Sequence, residues 1–71
     1  MAIEIHAEMV ANVIQILVTA DEQVAAGDTL LILESMKMEI PVLAEDGGTV
    51  SEVRVREGDV VQEGDVLVVL G

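Results

Sequence analysis

Apolar positions in this chain fall in short runs dominated by β-branched side chains. "NVIQILV" spans Asn12 to Val18 and "TVSEVRV" spans Thr49 to Val55, while "LLIL" covers Leu30 to Leu33 and "VLVVL" covers Val66 to Leu70. Runs of this length suit strands and are too short for independent helices. Their Val and Ile content favours a pleated surface even where alternation is imperfect. The pairs Gly27-Asp28 and Gly64-Asp65 mark reversals between runs. Glycine takes positive φ without steric cost, and an aspartate carboxylate can accept a bond from a backbone amide one or two residues on. The pattern predicts an all-β chain with almost no helix and loops of two to five residues.

The pattern is also written twice. "AEMVANVIQILVTADEQVAAGDTLLILE", Ala7 to Glu34, lies over "AEDGGTVSEVRVREGDVVQEGDVLVVLG", Ala44 to Gly71, at an unbroken offset of 37. Val13/Val50, Val24/Val61, Gly27/Gly64, Asp28/Asp65, Leu30/Leu67 and Leu33/Leu70 are among the identical pairs. About four strands are expected per half. Neither half can bury its apolar face alone, so two halves related by a pseudo-twofold should close a flattened barrel or sandwich with a core of Val, Leu and Ile. The 71 residues are read as a single domain, 1–71, near the lower size limit for a core without metals or disulfides.

Residues 35–43 join the halves, within the stretch "LILESMKMEIPV". Leu30 to Glu34 and Glu39 to Leu43 are the expected hairpin arms, with "SMKM" filling the reversal. Neither Gly nor Asn is present to ease positive φ, so the Met36-Lys37 pair should form a tight turn at modest conformational cost. Pro41 lacks an amide donor and belongs on an edge strand or near a strand start. Lys37 is the only lysine in the chain, and the equivalent position in the second half falls beyond Gly71. The Lys37 turn and the chain ends should therefore occupy opposite poles. Most lysines on turns are simply solvated, but here Met36 and Met38 stand where a surface turn would carry polar residues. Exposed apolar side chains beside a unique charge form a surface for another protein to read. A chain with one lysine offers an acylating enzyme a single side-chain amine. Because a lysine amine in water is protonated at neutral pH, that enzyme must deprotonate it and bring an activated acyl group.

Composition removes most other chemistry. Fourteen acidic residues against three basic ones give a formal net charge of -11, and there are no aromatic residues, so nucleic acid is repelled and bases find nothing to stack on. The acidity serves solubility and can steer the chain onto a basic partner. With no cysteine and His6 as the sole histidine, disulfides, thiolate sites, multi-His metal sites and Ser-His relays are excluded within one chain. The carboxylates Glu34/Glu39, Asp28, Asp65 and Glu45-Asp46 lack EF-hand spacing and read as turn caps and solvated strand faces. "EDGGT" at 45–49 is a turn, not a phosphate loop. Ser35 lacks a nucleophile-elbow setting, His6 reads as a surface residue, and Arg54 and Arg56 share a strand face within reach of acids. No catalytic residue and no metal ligand is expected, and the chain is not expected to be an enzyme. No apolar run reaches bilayer length, and "MAIEIHAEMV" is acidic where a signal peptide is basic, so a cytoplasmic monomer without a membrane partner is expected. No Pro/Ala-rich linker borders either end, as expected of a free-standing domain.

"ESMKMEIPV" resembles the biotin attachment motif, usually written E-A-M-K-M, and "VTADEQVAAGDTLLILESMKM" resembles the longer pattern of biotinyl/lipoyl domains. The likeness runs from about Ala7 to the end and is nearest to single-domain biotin/lipoyl attachment proteins. It implies the barrel-sandwich hybrid, two four-stranded sheets with quasi-twofold symmetry. It further implies a biotin carrier in which a biotin protein ligase joins biotin to Lys37 through an amide. Met36 and Met38 would be the flanking residues that ligase and carboxylase recognise, with Glu34 and Ser35 completing the motif. The implied partners are the ligase and the biotin carboxylase and carboxyltransferase subunits of a biotin-dependent carboxylase. A lipoyl carrier is the alternative on the same fold, its usual motif being E-T-D-K-A, and an unmodified structural or interaction domain is a further one. The chain departs from the family pattern in Ser35 for Ala, in Asp21-Glu22 for Gly-Asp, where Asp tolerates the left-handed region, and in "AEMVAN", which leaves Ala11 opposite Gly48. It shows no insertion corresponding to the protruding thumb of some acetyl-CoA carboxylase carriers.

Overall fold

The computed structural model describes residues 2–71. Its eight strands are β1 (Ile3–His6), β2 (Ala11–Ile16), β3 (Gln23–Val24), β4 (Thr29–Ser35), β5 (Met38–Leu43), β6 (Gly48–Val53), β7 (Val60–Val61) and β8 (Val66–Leu70). They form two four-stranded antiparallel sheets, ordered β1-β8-β6-β3 and β5-β4-β2-β7. No helix is present among the described residues, and none therefore is long and apolar enough to cross a membrane.

The offset of 37 carries one sheet onto the other strand by strand. β2, β3 and β4 correspond to β6, β7 and β8, and β1 corresponds to β5. The correspondence reaches further back than Ala7, because Ile3 pairs with Leu70 as Ile40 pairs with Leu33. Both central strand pairs carry a bulge at the same place. Register shifts between Val13 and Gln15 in one sheet and between Val50 and Glu52 in the other, so Ile14 and Ser51 are the extra residues. An extra residue breaks period-two alternation, which is why "NVIQILV" and "TVSEVRV" alternate poorly.

The core is built from equivalent pairs. Val13 and Val50, Leu30 and Leu67, Leu31 and Val68, and Leu33 and Leu70 are all buried, as are Ala7 and Ala44. No polar or charged residue is buried with them among the described residues. A core of small branched side chains packs a thin sandwich without aromatics.

Four turns close the ends of the barrel, at residues 19–22, 25–28, 56–59 and 62–65, and all are built alike. The last residue's amide donates to the first residue's carbonyl, as in Glu22 to Thr19 at 3.2 Å, Asp28 to Ala25 at 3.0 Å, Asp59 to Arg56 at 3.1 Å and Asp65 to Gln62 at 3.0 Å. The last residue's carboxylate in turn accepts from the first residue's amide, at 3.2 Å for Glu22 and at 2.8, 2.9 and 2.9 Å for Asp28, Asp59 and Asp65. These aspartates therefore bond backward by three residues rather than forward by one or two, because the turn brings the amide of its first residue beside the carboxylate of its last. The third position has positive φ each time: Asp21 at 74°, Gly27 at 91°, Gly58 at 95° and Gly64 at 90°. Asp21 fills the left-handed position that glycine holds in the other three.

Several other expectations shift. Loops run from two to six residues, the two longest being 17–22 and 54–59. Both cross from one sheet to the other and contain a turn of their own. The strand expected over Thr49 to Val55 ends at Val53. Arg54 and Arg56 therefore share no strand face, although Arg54 still donates its amide to Leu67 and its Nε to Glu52 at 3.0 Å. Ala11 is buried in β2, and a Cβ added at Gly48 would meet Leu70 Cβ at an ordinary 3.8 Å, so neither position requires glycine. Pro41 lies on β5, an edge strand, and His6 is exposed beside Glu4 at 3.4 Å.

The poles follow from the hydrogen bonding. β2 begins level with the Lys37 hairpin, since Asn12 pairs with Glu34, and runs away from it. The chain beyond β2 delivers the Asp21 amide to Val50, which itself pairs with Leu70. Ala2 and Gly71 thus lie together at one end of a molecule measuring 32 × 18 × 17 Å, and the Lys37 turn lies at the other.

Candidate functional site

The β4–β5 hairpin reverses in two residues. Glu34 pairs with Glu39 and Ser35 with Met38, so the arms are one residue longer at the tip than the sequence suggests, and Met36-Lys37 alone makes the turn. Their φ values are 52° and 64°. Positive φ at both central positions is the type I′ geometry, whose twist matches that of the strands it joins. The conformation costs an L-residue roughly 1–2 kcal/mol at each position, a cost offset by the ladder from Thr29↔Leu43 to Ser35↔Met38 that holds the arms together.

This turn lifts Lys37 into solvent. Neither ion pair of the described residues, His6–Glu4 or Arg54–Glu52, involves it. Met36 is 89% exposed and Met38 60% exposed, while Ser35 and Glu34 are half-buried at the base of the turn. Glu34 and Glu39 face each other directly across the hairpin, a like-charge pairing that opposes strand association. All five motif residues therefore gather on one hairpin tip. A surface groove of about 550 Å³ runs between the edge strands β1 and β5, but none of Lys37, Met36 and Met38 lines it. Among the described residues no three of His, Asp and Glu converge in a way that could hold a metal ion.

Two residues at the same pole escaped the sequence reading. Val60 pairs with Asn12 and so stands in the row Val60–Asn12–Glu34–Glu39, and Val10 continues β2 one residue beyond Ala11 toward the tip. The place of Val10 near Lys37 depends on the β2–β4 register and that of Val60 on the β2–β7 register as well, non-local pairings with no local signal.

One end of an all-β fold thus holds the side-chain amine of the sole lysine in solvent, outside the groove between β1 and β5. The chain belongs to the family described as Biotin-requiring enzyme, whose profile matches residues 1–70. It is 51% identical over 70 residues to the biotinylated protein TB7.3 homolog of Mycobacterium leprae, covering 99% of both chains. It is 49% identical over 63 residues to a biotin/lipoyl attachment protein of Bacillus subtilis, covering 89% of this chain and 86% of that one. In three dimensions it matches the urea carboxylase of Kluyveromyces lactis with a TM-score of 0.91 at 30% identity, over 99% of this chain and 6% of that much longer one.

Proposed function

We propose that Lys37 carries biotin through an amide on Nζ, that a biotin protein ligase attaches it, and that the domain conveys carboxyl groups between the active sites of a biotin-dependent carboxylase. The observation that carries this reading is the sole lysine of the chain standing on a strained two-residue turn, in no ion pair among the described residues and flanked by two exposed methionines. Biotin suits such a post because a group that must reach into other active sites needs a free arm and no pocket of its own. When attached, biotin supplies the atom on which the carboxyl group travels. The protein's own residues supply the rest: the paired arms of β4 and β5 fix where the amine stands, and Met36 and Met38 mark it for recognition. Family membership and the likeness to carboxylase domains support the assignment.

A second reading, lipoyl attachment at the same lysine, draws on the name of the Bacillus subtilis relative. The methionines on both sides of Lys37 favour biotin. The test is co-expression with a biotin protein ligase followed by a streptavidin gel shift, with Lys37→Arg alongside. The wild type should shift and the variant should not; a shifted variant, or an unshifted wild type, refutes the assignment.

A further inference from the structure

The two sheets share one backbone plan, so each serves as an internal control for the other. Residues related by the offset of 37 meet similar strand geometry, so a difference between them that packing does not explain reflects something other than folding. The second half places Gly47 where the first has Val10, and the first half places Gln23 where the second has Val60. Gln23 sits exposed at the chain-end pole, so the fold tolerates a polar residue there. Gly47 is exposed too, but a Cβ added to it would meet the Val24 carbonyl oxygen at 3.2 Å, so packing accounts for that glycine. At the Lys37 pole the same positions hold valines that are 62% and 66% exposed.

Together with Met36 and Met38, these are the four most exposed large apolar side chains among the described residues. All four lie around the Lys37 tip, on or beside the sheet that bears it. Val60 stands in the row that includes Glu34 and Glu39, and Val10 lies past Ala11, on the tip side of that row. Solubility favours polar residues at such places, and folding gains little from valines left so exposed.

We infer that Val10 and Val60 extend the docking surface for the biotin protein ligase, so that this surface presents the apolar side chains of Met36, Met38, Val10 and Val60 with Asn12, Glu34 and Glu39 among them. This deepens the biotin-carrier reading and rests on it. The ligase is the occupant because of reach. It must bring an activated acyl group to Nζ itself and so must cover the tip, whereas an enzyme that acts on the attached group meets it at the end of an arm, away from the valines. The ligase face that fits offers apolar contacts to these side chains and cationic groups opposite Glu34 and Glu39.

The test is steady-state ligation of the purified unmodified protein, with biotin and ATP saturating and the carrier varied. Val60→Gln installs the residue that the other sheet carries, and Val10→Ser removes the apolar surface without adding a glycine to the backbone. Each should lower kcat/KM by about tenfold, the loss expected when a valine no longer leaves water on docking. Leu43→Thr, which removes a comparably exposed apolar residue at the far end of β5, should stay within about twofold of wild type, since the residue lies outside the surface. Thermal unfolding is measured on each variant. As a check independent of turnover, folded Lys37→Arg should inhibit ligation competitively, and adding Val60→Gln to it should weaken that inhibition by a similar factor. Ligation of the valine variants at the wild-type rate overturns the inference, as does equal inhibition by the two Lys37→Arg proteins. A wild type that accepts no biotin would instead end the carrier reading itself, so the two failures are told apart.

Discussion

Met36 stands at φ 52° with its side chain 89% exposed, so its backbone bears a conformational cost while its side chain contributes little burial. Met36→Asn separates the two. Asparagine visits the left-handed region far more readily than other non-glycine residues and adds no glycine-like backbone freedom to the unfolded chain. If the left-handed penalty for methionine is roughly 1–2 kcal/mol and asparagine relieves a good part of it, the variant should be more stable by about 1 kcal/mol. For a domain of this size that corresponds to a rise in Tm of about 4–8 °C. The chain has no aromatic residue, so unfolding is followed by far-UV circular dichroism with heat and with urea. The urea m value should stay constant, because the surface exposed on unfolding hardly changes. Met38→Asn is the control: Met38 is a β5 residue outside the positive-φ set, and asparagine is disfavoured in strands, so no gain is expected. An unchanged or lowered Tm in Met36→Asn, or an equal gain in both variants, would refute the view that the turn is strained. The same variant should be a poorer ligase substrate, since it removes an apolar group next to the amine. Stability and recognition would then move in opposite directions at one residue.

Other outcomes follow from the repeated turns and the core. Asp28→Ala, Asp59→Ala and Asp65→Ala should each cost about 1 kcal/mol, the worth of one carboxylate-to-amide bond partly open to water, and Glu22→Ala should cost less because its bond is longer at 3.2 Å. Urea unfolding ranks the four, and the ranking fails if Glu22→Ala is the most damaging. Leu30→Ala and Leu67→Ala, at equivalent fully buried positions, should each cost roughly 2–5 kcal/mol and agree with each other within about 1 kcal/mol; a large inequality would mean that the two halves do not share the core evenly.

Much of this was legible because the chain states its plan twice. Val13/Val50, Leu30/Leu67 and Gly27/Gly64 report the same inward side chains and the same turns, and an eight-strand sandwich follows from needing both halves to cover one core. Lys37 was legible because it is unique and because its neighbours are apolar where a turn is normally polar. The correspondence of β1 with β5 was harder to see. Ile3/Ile40 match and Ile5/Val42 match in kind, but the offset sets Glu4 against Pro41 and His6 against Leu43, which ends the run of similarity before Ala7. The bulges at Ile14 and Ser51 and the backward bonds of the aspartates are geometric features with no residue code of their own. Val10 and Val60 look like ordinary apolar residues until the pairing of β2 with β4 places the first, and that of β7 with β2 the second, toward the lysine.

Whether this fold presents Lys37 for biotin is decided by intact mass spectrometry with peptide mapping of protein co-expressed with a biotin protein ligase and supplied with biotin. One biotinyl group per chain is expected, borne on the peptide that contains Lys37. A bare chain, a lipoyl group in its place, or biotin found on any other amine would contradict it.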